Sequence, residues 1–281
     1  MGGRRVIVNA DDLGLAPGVN TAIFEVFRAG NLTSATLMVN MPGTLDAVER
    51  LSDHRGLAVG LHFCVTEGRA LTGPSSITRP DGTFMTRGEL LRRVQLGRIR
   101  SADITLELEA QLARMKELGV DPSHVDSHQH VHMAPGVFRA MLDILRQRAL
   151  PVRTVSPPSA ILRASWRRPS KLAKHLLNRW SAERRHGSAL PTNHTLVSIH
   201  DLPDGRVPDS GSVYRELLEH CGDGVVELMV HPYRKDEVLQ DMYSERPDAK
   251  APFISKCLAE HRLLSGQRLF DGLQLITFKD L

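Results

Sequence analysis

Residues 6–14 read VIVNADDLG, a short apolar run that ends in two adjacent aspartates. Val, Ile and Val in succession predict a buried strand, and the polar pair after them predicts the strand's carboxyl end. Further short apolar runs recur along the chain, and they cover residues 35–39, 57–61, 124–125, 152–155, 195–199, 225–230 and 273–278. Many of these runs are separated by stretches in which apolar residues recur at the spacing of a helix. This alternation predicts an α/β fold with a parallel sheet.

The segments between the runs carry the helical signal. Three of them place apolar residues at helical spacing, with a glycine or proline near one end: residues 18–27, 103–118 and 135–148. Residues 71–86 are rich in Gly, Pro, Ser and Thr, so we expect a loop over the strand ends there. The length suits one (β/α)-barrel-like domain over residues 1–281, since such barrels run to roughly 250 residues.

The charge of the chain is local. The formal net charge is +4, but residues 160–187 hold eight Lys or Arg against one Glu, so that segment carries +7 and the rest about −3. A nucleic-acid footprint needs a basic stripe joined to a recognition motif, and no zinc-finger, RNP-type or helix-turn-helix pattern is present. We therefore do not expect nucleic acid as a partner.

The cysteines and the apolar runs indicate the compartment. Cys64, Cys221 and Cys257 are odd in number and lack CxxC spacing, which argues against a disulfide framework and a thiolate metal site. The apolar run before Asn9 is too short for a signal peptide, and no run approaches the roughly 20 apolar residues of a membrane span. We expect a soluble cytoplasmic protein, and the sequence leaves a homodimer open.

Four of the expected strands are followed at once by residues that bind metals or transfer protons. These residues are Asp11 and Asp12, His62, His128 and His231. The carboxyl ends of the strands of a parallel barrel meet at one face, so these side chains are expected to converge there. One such residue could be a turn or a satisfied histidine at a sheet edge, but four strands delivering the same kind of side chain predict an active site.

Two imidazoles and one carboxylate form a metal site that keeps positions open for water and substrate. Asp12, His62 and His128 supply such a set, which suits metal-assisted hydrolysis. Adjacent side chains on a strand diverge, so Asp11 is left for proton transfer. An exchange of roles between Asp11 and Asp12 remains open at this stage.

Other polar residues surround this set. Asp126 lies two residues before His128, a position that suits orienting an imidazole or binding substrate. His130 and His132 alternate with His128, and we expect at least one of them to face the pocket. Arg153, at an expected strand end, could bind a substrate hydroxyl or pair with Asp11, or it could be a structural arginine.

Four motifs carry a resemblance to a known family. They are residues 8–14, 33–40, 60–62 and 126–132, and a thinner match continues through residues 152–153 and 231–232. Together they resemble the YdjC-like carbohydrate deacetylase family, which includes the chitooligosaccharide deacetylases. The resemblance implies a deformed (β/α) barrel like that of polysaccharide deacetylases. It also implies one divalent ion, Mg²⁺ or Zn²⁺, and hydrolysis of an N-acetylated sugar to acetate and an amine.

The resemblance also implies a role for each motif residue. Asp11 would be the base, and His231 the acid near the leaving amine. Asp12, His62 and His128 would be the metal ligands. Substrate contacts are expected from Asp126, His130 and Arg153. The chain departs from the family pattern at Leu13, where Phe is commoner, and in the basic insertion at residues 157–193.

The insertion contains an amphipathic pattern. Leu172, Leu176 and Trp180 recur at i, i+4 and i+8 among basic residues, which predicts a surface helix with its apolar stripe on the barrel. The alternative is a lid or a docking site for an anionic group. Such a group could belong to a nucleotide- or lipid-linked sugar, or to an anionic membrane surface that makes peripheral contact.

Two other functions remain open. A metal-dependent phosphoesterase would use the same residue types but usually holds two ions, and His130 and His132 could supply further ligands. A non-catalytic sugar-binding protein is less well supported, because Asp11, the three expected ligands and His231 are all present.

Overall fold

The computed structural model describes residues 3–186, 189–202, 207–243 and 247–281. Within these ranges one parallel sheet contains seven strands: β1 (Arg4–Leu13), β2 (Ser34–Leu37), β3 (Ala58–Phe63), β4 (Val125–Ser127), β5 (Thr195–Val197), β6 (Gly224–Val230) and β7 (Gln274–Leu275). The strand order is β4-β3-β2-β1-β6-β5, and β7 pairs with the amino-terminal end of β1. The expected α/β barrel-like fold is confirmed.

Helices connect and cover the strands. They are α1 (Pro17–Arg28), α2 (Thr44–Leu51), α3 (Arg87–Gln95), α4 (Ser101–Glu117), α5 (Pro135–Gln147), α6 (Ser159–Ala164), α7 (Pro169–His186), α8 (Ser212–Glu219), α9 (Glu237–Met242) and α10 (Pro247–Leu264). Short 3₁₀ turns occupy His128–Met133, Ile199–Asp201 and Phe278–Asp280. The three helices expected from periodicity correspond to α1, α4 and α5.

β1 lies at the centre of the sheet. Residues 6–13 are buried, as expected for a strand covered on both faces. β1 pairs with β6 in an unbroken register from Arg4 with Gly224 to Ala10 with Val230. The chain's first strand therefore depends on a strand made more than 200 residues later.

The expected strand at residues 152–155 is an extended segment with a single bridge, Val125 to Val152. The Arg153 backbone N–H donates to the Val125 carbonyl of β4, while the Val152 N–H donates to the Pro191 carbonyl on the other side. The Asn193 side chain bonds to both the N–H and the carbonyl of Thr154, at 2.7 and 2.8 Å. A side chain thus replaces part of the backbone ladder, which is why regular strand geometry is lost where the barrel curls toward closure.

The loop expected at residues 71–86 is confirmed, and helix α4 holds it in place. The Glu107 carboxylate accepts hydrogen bonds from the backbone N–H groups of Leu71 and Thr72, and Asp103 accepts one from Ser76. Because Glu107 is fully buried, these bonds satisfy a charge that would otherwise be costly to bury.

The basic insertion forms α6 and α7, but the expected orientation of its apolar stripe is wrong. Leu172 is half-buried, whereas Leu176 and Trp180 are 52% and 44% exposed. The face of α7 that packs inward carries polar side chains that bond to carbonyl groups at the ends of two 3₁₀ turns. Lys171 Nζ donates to the carbonyl of Asp201 at 2.7 Å, and Ser181 Oγ donates to that of Met133 at 2.8 Å.

Across the part of the chain that the structure describes, no helix combines the length and the apolar character needed to cross a bilayer.

Candidate active site

A cavity of about 360 Å³ opens at the carboxyl ends of the strands, a size typical of small-molecule sites. Six of the eight residues singled out from the sequence line it: Asp11, Asp12, His62, His128, His130 and His231. The other two, Asp126 and Arg153, are fully buried behind its wall.

A break in β1 turns two adjacent carboxylates toward the same cavity. Asp12 has φ 68°, in the left-handed region that residues other than glycine seldom adopt, and the β1–β2 register shifts between Ala10 and Leu13. The usual alternation of side chains is lost at this point. Asp11 and Asp12 therefore both reach the cavity, although they contact different partners.

Asp12 lies between two imidazoles. Its Oδ1 is 3.2 Å from Nε2 of His62 and 2.9 Å from Nδ1 of His128. The three side chains can present ligand atoms within 4.8 Å of one another. Nε2 of His128 is buried without a hydrogen-bond partner, which leaves a donor atom available in the site. This set fits a divalent ion with two nitrogen ligands and one oxygen ligand.

The chain turns sharply after β4, next to His128. Gln129 and His130 both have positive φ, 54° and 56°, inside the 3₁₀ turn that follows Ser127. Two consecutive left-handed residues turn the chain directly after His128, whose side chain contacts Asp12 of β1. His132 is drawn the other way, since its ring nitrogens contact Ser127 Oγ and the Arg153 carbonyl. Of the two alternating histidines, His130 lines the cavity and His132 does not.

His62 is oriented by the neighbouring strands. His62 and Asp126 are paired residues of β3 and β4, and Asp126 Oδ1 lies 2.7 Å from His62 Nδ1. Thr36 Oγ1 donates to Asp126 Oδ2 at 3.1 Å. These contacts fix the ring so that Nε2 points at Asp12. Of the two roles considered for Asp126, orienting an imidazole and binding substrate, its contacts match the first. The imidazole is that of His62 and not of His128.

A further residue, absent from the expected set, also contacts Asp12. The Tyr233 hydroxyl donates a hydrogen bond to Asp12 Oδ2. Asp12 Oδ1 is then left to the two histidines. Tyr233 follows His231 by two residues, so the His-Pro-Tyr order brings both side chains toward one cavity.

Arg153 is the centre of a buried ion network. Its guanidinium contacts Asp11 through two hydrogen bonds of 2.6 and 2.7 Å, Asp126 at 2.7 Å and Glu227 at 2.8 Å. Bidentate geometry is the strong form of this contact. Because its side chain is fully buried and does not line the cavity, substrate contact by Arg153 is not supported, and the same holds for Asp126.

The network keeps Asp11 ionised. Burial would raise the pKa of Asp11, but the charge and hydrogen bonds of Arg153 outweigh burial and hold that pKa well below its usual range. Burial raises the pKa of Glu227 to about 7, although Arg153 opposes the rise. The two carboxylates that share Arg153 therefore differ: Asp11 stays charged near neutral pH, and Glu227 is close to its midpoint.

The set of Asp12, His62 and His128 lies where the surrounding charges favour a positive charge. Burial opposes protonation of His62, but the charge of Asp126 and hydrogen bonds to Asp12 and Asp126 raise its pKa to about 10. Burial would raise the pKa of Asp12, yet both histidines lower it well below its usual value. Arg153 pairs with Asp11, Asp126 and Glu227, and Asp12 has no such guanidinium partner, so a cation beside Asp12 is electrostatically favourable.

His231 is a second neighbour of Asp11 Oδ2, beside Arg153. Its Nε2 is 3.8 Å from Asp11 Oδ2, and its backbone N–H donates to Glu260 at 2.7 Å. Burial lowers the pKa of His231, although the charge of Asp11 partly offsets the effect. The ring is therefore neutral near pH 7, with Nδ1 buried and without a hydrogen-bond partner.

The structure adds residues that the motifs did not indicate. Glu227 interrupts the apolar run of β6, and a charged residue in a buried strand is itself a signal that a partner exists. His200, His231 and Glu260 form a second group that could hold an ion. His200 and Glu260 belong to a 3₁₀ turn and to α10, where no strand-end rule points.

Helix α7 supplies part of the cavity wall. Lys174, His175 and Asn178 line it, together with an apolar group made of Val155, Leu196, Met229 and Phe253. A wall that mixes polar groups with apolar surface suits a sugar, whose faces are apolar and whose edges carry hydroxyl groups. The insertion thus contributes directly to the candidate site.

Comparisons with known proteins agree with the motif resemblance. The model of the YdjC-like protein family matches residues 5–274. A carbohydrate deacetylase of Geobacillus stearothermophilus is 45% identical over 286 residues, which cover 99% of this chain and 98% of that protein. A chitooligosaccharide deacetylase of Yersinia pestis is 39% identical over 150 residues, which cover 53% of this chain and 58% of that protein.

A solved structure gives the fold independently. A protein of Enterococcus faecalis, described as a candidate cellobiose-phosphate cleavage protein, superposes with a TM-score of 0.77 over 99% of this chain and 98% of its own. The two sequences are 20% identical, so this likeness concerns the fold alone. The family match over nearly the whole chain confirms the resemblance, and the chain belongs to the YdjC-like protein family.

Proposed function

We propose that this protein is a metal-dependent carbohydrate N-deacetylase, which hydrolyses the N-acetyl group of an amino sugar to acetate and a free amine. The observation that carries the proposal is the position of Asp11. Its carboxylate bonds to Arg153 and lies 3.8 Å from His231, in the same cavity as the set of Asp12, His62 and His128. The carbohydrate deacetylase of G. stearothermophilus, similar over almost the full length, supports the same activity.

The proposed metal ligands are Asp12, His62 and His128, and Mg²⁺ and Zn²⁺ are both compatible with them. A divalent ion held there would supply Lewis acidity toward the acetamide oxygen and would lower the pKa of water in the site. Asp126 and Thr36 keep the His62 ring in place, and Tyr233 fixes Asp12. Such supporting contacts tune ligand basicity and orientation.

Asp11 is the proposed general base. Its pKa, held low by Arg153, ensures that it is ionised at any working pH, and Oδ2 faces His231. A strongly paired carboxylate is a weak base, so it depends on a water that is already acidified in the site. Arg153 acts through Asp11 as a positioning residue.

His231 is the proposed general acid. Amide hydrolysis cannot proceed without a proton on the departing nitrogen, because an amide anion is a very poor leaving group. His231 rests neutral since burial lowers its pKa, so once protonated at Nε2 it gives the proton up readily. Nε2 lies 3.8 Å from Asp11 Oδ2, which is longer than a hydrogen bond, so the two side chains must come closer for the proton taken from water to reach this ring.

Substrate contacts are assigned to residues that line the cavity. His130 keeps its expected role, and Lys174 and Asn178 from the insertion join it. Chitooligosaccharides and carrier-linked amino sugars are the substrate classes that we propose to compare, because the insertion alters one wall of the cavity.

The test measures acetate release from N-acetylglucosamine, diacetylchitobiose and a nucleotide-linked N-acetyl sugar. Metal-stripped protein is resupplied with Mg²⁺ or Zn²⁺, and Asp11→Asn is compared with Asp143→Asn, which changes an exposed aspartate on α5. We expect metal-dependent release that Asp11→Asn lowers by about a thousandfold and Asp143→Asn leaves unchanged. Release that is equal in all three proteins would contradict the proposed role of Asp11.

A second candidate function rests on the group of His200, His231 and Glu260. Together with the first set, it could hold a second ion, as many phosphoesterases require. Metal counting separates the two functions: one ion per chain with acetate release supports the deacetylase, and two ions with phosphate release support the phosphoesterase.

A further inference from the structure

The outward face of α7 is apolar. Ala173, Leu176, Leu177 and Trp180 recur at i, i+3, i+4 and i+7, the spacing of a buried helix face. Here that face points away from the barrel. Leu176, Leu177 and Trp180 are 52%, 65% and 44% exposed, while His175 and Ala182 on the opposite face are buried.

The positions of the two tryptophans support the view that this face is an interaction surface. The chain has two tryptophans, Trp166 and Trp180, and both belong to the α6–α7 unit. Trp166 is 66% exposed. Tryptophan is the side chain that gains most from leaving water while keeping a polar N–H near an interface. Several exposed apolar side chains of this size within one short segment of the chain indicate an interaction surface.

The same unit carries exposed positive charge. Arg163, Arg167 and Arg168 are exposed, and the Arg167 guanidinium lies 4.9 Å from the Trp166 ring centroid. Residues 160–187 hold a formal +7, against about −3 for the remainder of the chain. A partner of this surface therefore carries negative charge next to apolar groups.

We propose that the exposed side of α6 and α7 docks on an anionic lipid bilayer. We call this side the docking surface and define it by Arg163, Trp166, Arg167, Leu176, Leu177 and Trp180. Apolar residues with interfacial tryptophans, flanked by arginines, form the combination that lies in the headgroup region of a membrane. A second copy of the chain fits less well, since a symmetric contact would bring two segments of +7 together.

The docking surface and the candidate site share one helix. The inner face of α7 provides Lys174, His175 and Asn178 to the cavity, and the outer face provides the leucines and Trp180. Because the surface residues do not line the cavity, changing them leaves the residues of the site in place. Membrane binding can therefore be tested separately from the proposed deacetylase activity.

The experiment uses the full chain and vesicles of phosphatidylglycerol or phosphatidylcholine, followed by co-sedimentation and tryptophan fluorescence. Both tryptophans lie on the proposed surface, so insertion is expected to shift their emission to shorter wavelength. We expect binding to phosphatidylglycerol at least tenfold tighter than to phosphatidylcholine, and weaker binding at high salt because salt screens the charges.

Two double variants divide the contributions. Trp166→Ser with Leu177→Ser removes apolar surface, and Arg163→Glu with Arg167→Glu reverses charge. Each is expected to weaken binding to phosphatidylglycerol at least tenfold. A control that combines Leu106→Ser and Arg139→Glu, exposed residues of α4 and α5, should bind like the unchanged protein. Circular dichroism checks that each variant is folded.

Several results would overturn the proposal. These are no binding to phosphatidylglycerol, equal binding to both lipids, or no difference between the surface variants and the control. Self-association of the free protein, lost in the Trp166→Ser and Leu177→Ser variant and accompanied by no lipid binding, would assign the surface to a second copy instead.

Discussion

The carboxyl edge of the sheet and helix α7 both place polar side chains inside the protein, but they do so in opposite ways. At the sheet edge, Arg153, Asp126 and Glu227 are fully buried, and both carboxylates bond to Arg153. On α7, Lys171 and Ser181 turn inward to meet backbone carbonyls, whereas Leu176, Leu177 and Trp180 turn out. Over the strand ends, whether a side chain is buried thus depends more on the hydrogen bonds it can make there than on its hydropathy.

The two regions differ in what their burial costs. A buried ion network is stable only while every charge keeps its partner, because an isolated buried charge is very unfavourable. The exposed face of α7 loses hydrophobic stabilisation, but its outward apolar side chains leave no charge buried without a partner. The comparison predicts large effects from single changes in the network and small effects from changes on the outer face of α7.

The largest effect is expected from Arg153→Met. Removing the guanidinium leaves Asp11, Asp126 and Glu227 without their shared partner, so the free energy of unfolding should fall by about 3–5 kcal/mol. The matched change Arg163→Met, on exposed α6, should alter it by less than about 0.5 kcal/mol. Urea unfolding measures both. A loss below about 1 kcal/mol for Arg153→Met would remove the contrast between the regions.

Next in size is the effect of a divalent ion. Binding only to the folded state at 100 times the dissociation constant adds about 2.7 kcal/mol of stability, which corresponds to a rise of about 5 °C in Tm. Thermal unfolding with and without Zn²⁺ or Mg²⁺ should show this rise for the unchanged protein and for Asp143→Asn. Asp12→Asn should abolish it. An equal rise in Asp12→Asn would exclude Asp12 as a ligand.

A smaller effect of 1–3 kcal/mol is expected from pH and Glu227. Its pKa is raised to about 7 in the folded protein from an ordinary 4.5, so its protonation stabilises the fold fully below pH 4.5. That contribution is lost as pH rises through 7. As pH rises from 5 to 8, the free energy of unfolding of Glu227→Gln should therefore increase by about 1–3 kcal/mol relative to that of the unchanged protein.

Urea unfolding at several pH values measures this difference. The exposed control Glu117→Gln should show no change with pH relative to the unchanged protein, since Glu117 is 65% exposed. A difference between Glu227→Gln and the unchanged protein that stays constant from pH 5 to pH 8 would mean that Glu227 does not titrate in this range.

The smallest effect is expected on the outer face of α7. Leu177→Ser should change the free energy of unfolding by less than about 0.5 kcal/mol, because Leu177 is 65% exposed. Leu112→Ala, at a position 1% exposed on α4, should cost about 2–5 kcal/mol. Equal losses in the two variants would show that Leu177 packs inside the protein.

Much of the site could be predicted because strand ends are readable in sequence. The ends of the expected strands located Asp11, Asp12, His62, His128 and His231, and six of the eight expected residues line one cavity. The roles assigned to them stay predictions. Position in the sequence could not show that Arg153 and Asp126 are buried behind the cavity wall. An arginine at a strand end gives the same sequence pattern whether its side chain enters the cavity or packs behind the residues that line it.

The remainder could not be predicted for two physical reasons. Tyr233 and Glu260 reach the site through tertiary contacts, with no local pattern that names their partners. The orientation of α7 depends on the surface beneath it, and an amphipathic pattern states that two faces differ without stating which one meets the barrel. The broken strand at residues 152–155 likewise depends on the Asn193 side chain, 39 residues away from Thr154.

The pairing of β1 with β6 has a consequence for synthesis on the ribosome. The first strand carries Asp11 and Asp12, yet its central position requires residues 224–230 beside it, and Arg153 gains Glu227 only then. A nascent chain that has released only its first 200 residues holds Arg153 and Asp11 without the strand that fixes them. Assembly of the catalytic face is therefore a late event in translation, and a chain that stalls before β6 presents unpaired strand edges that chaperones would have to cover.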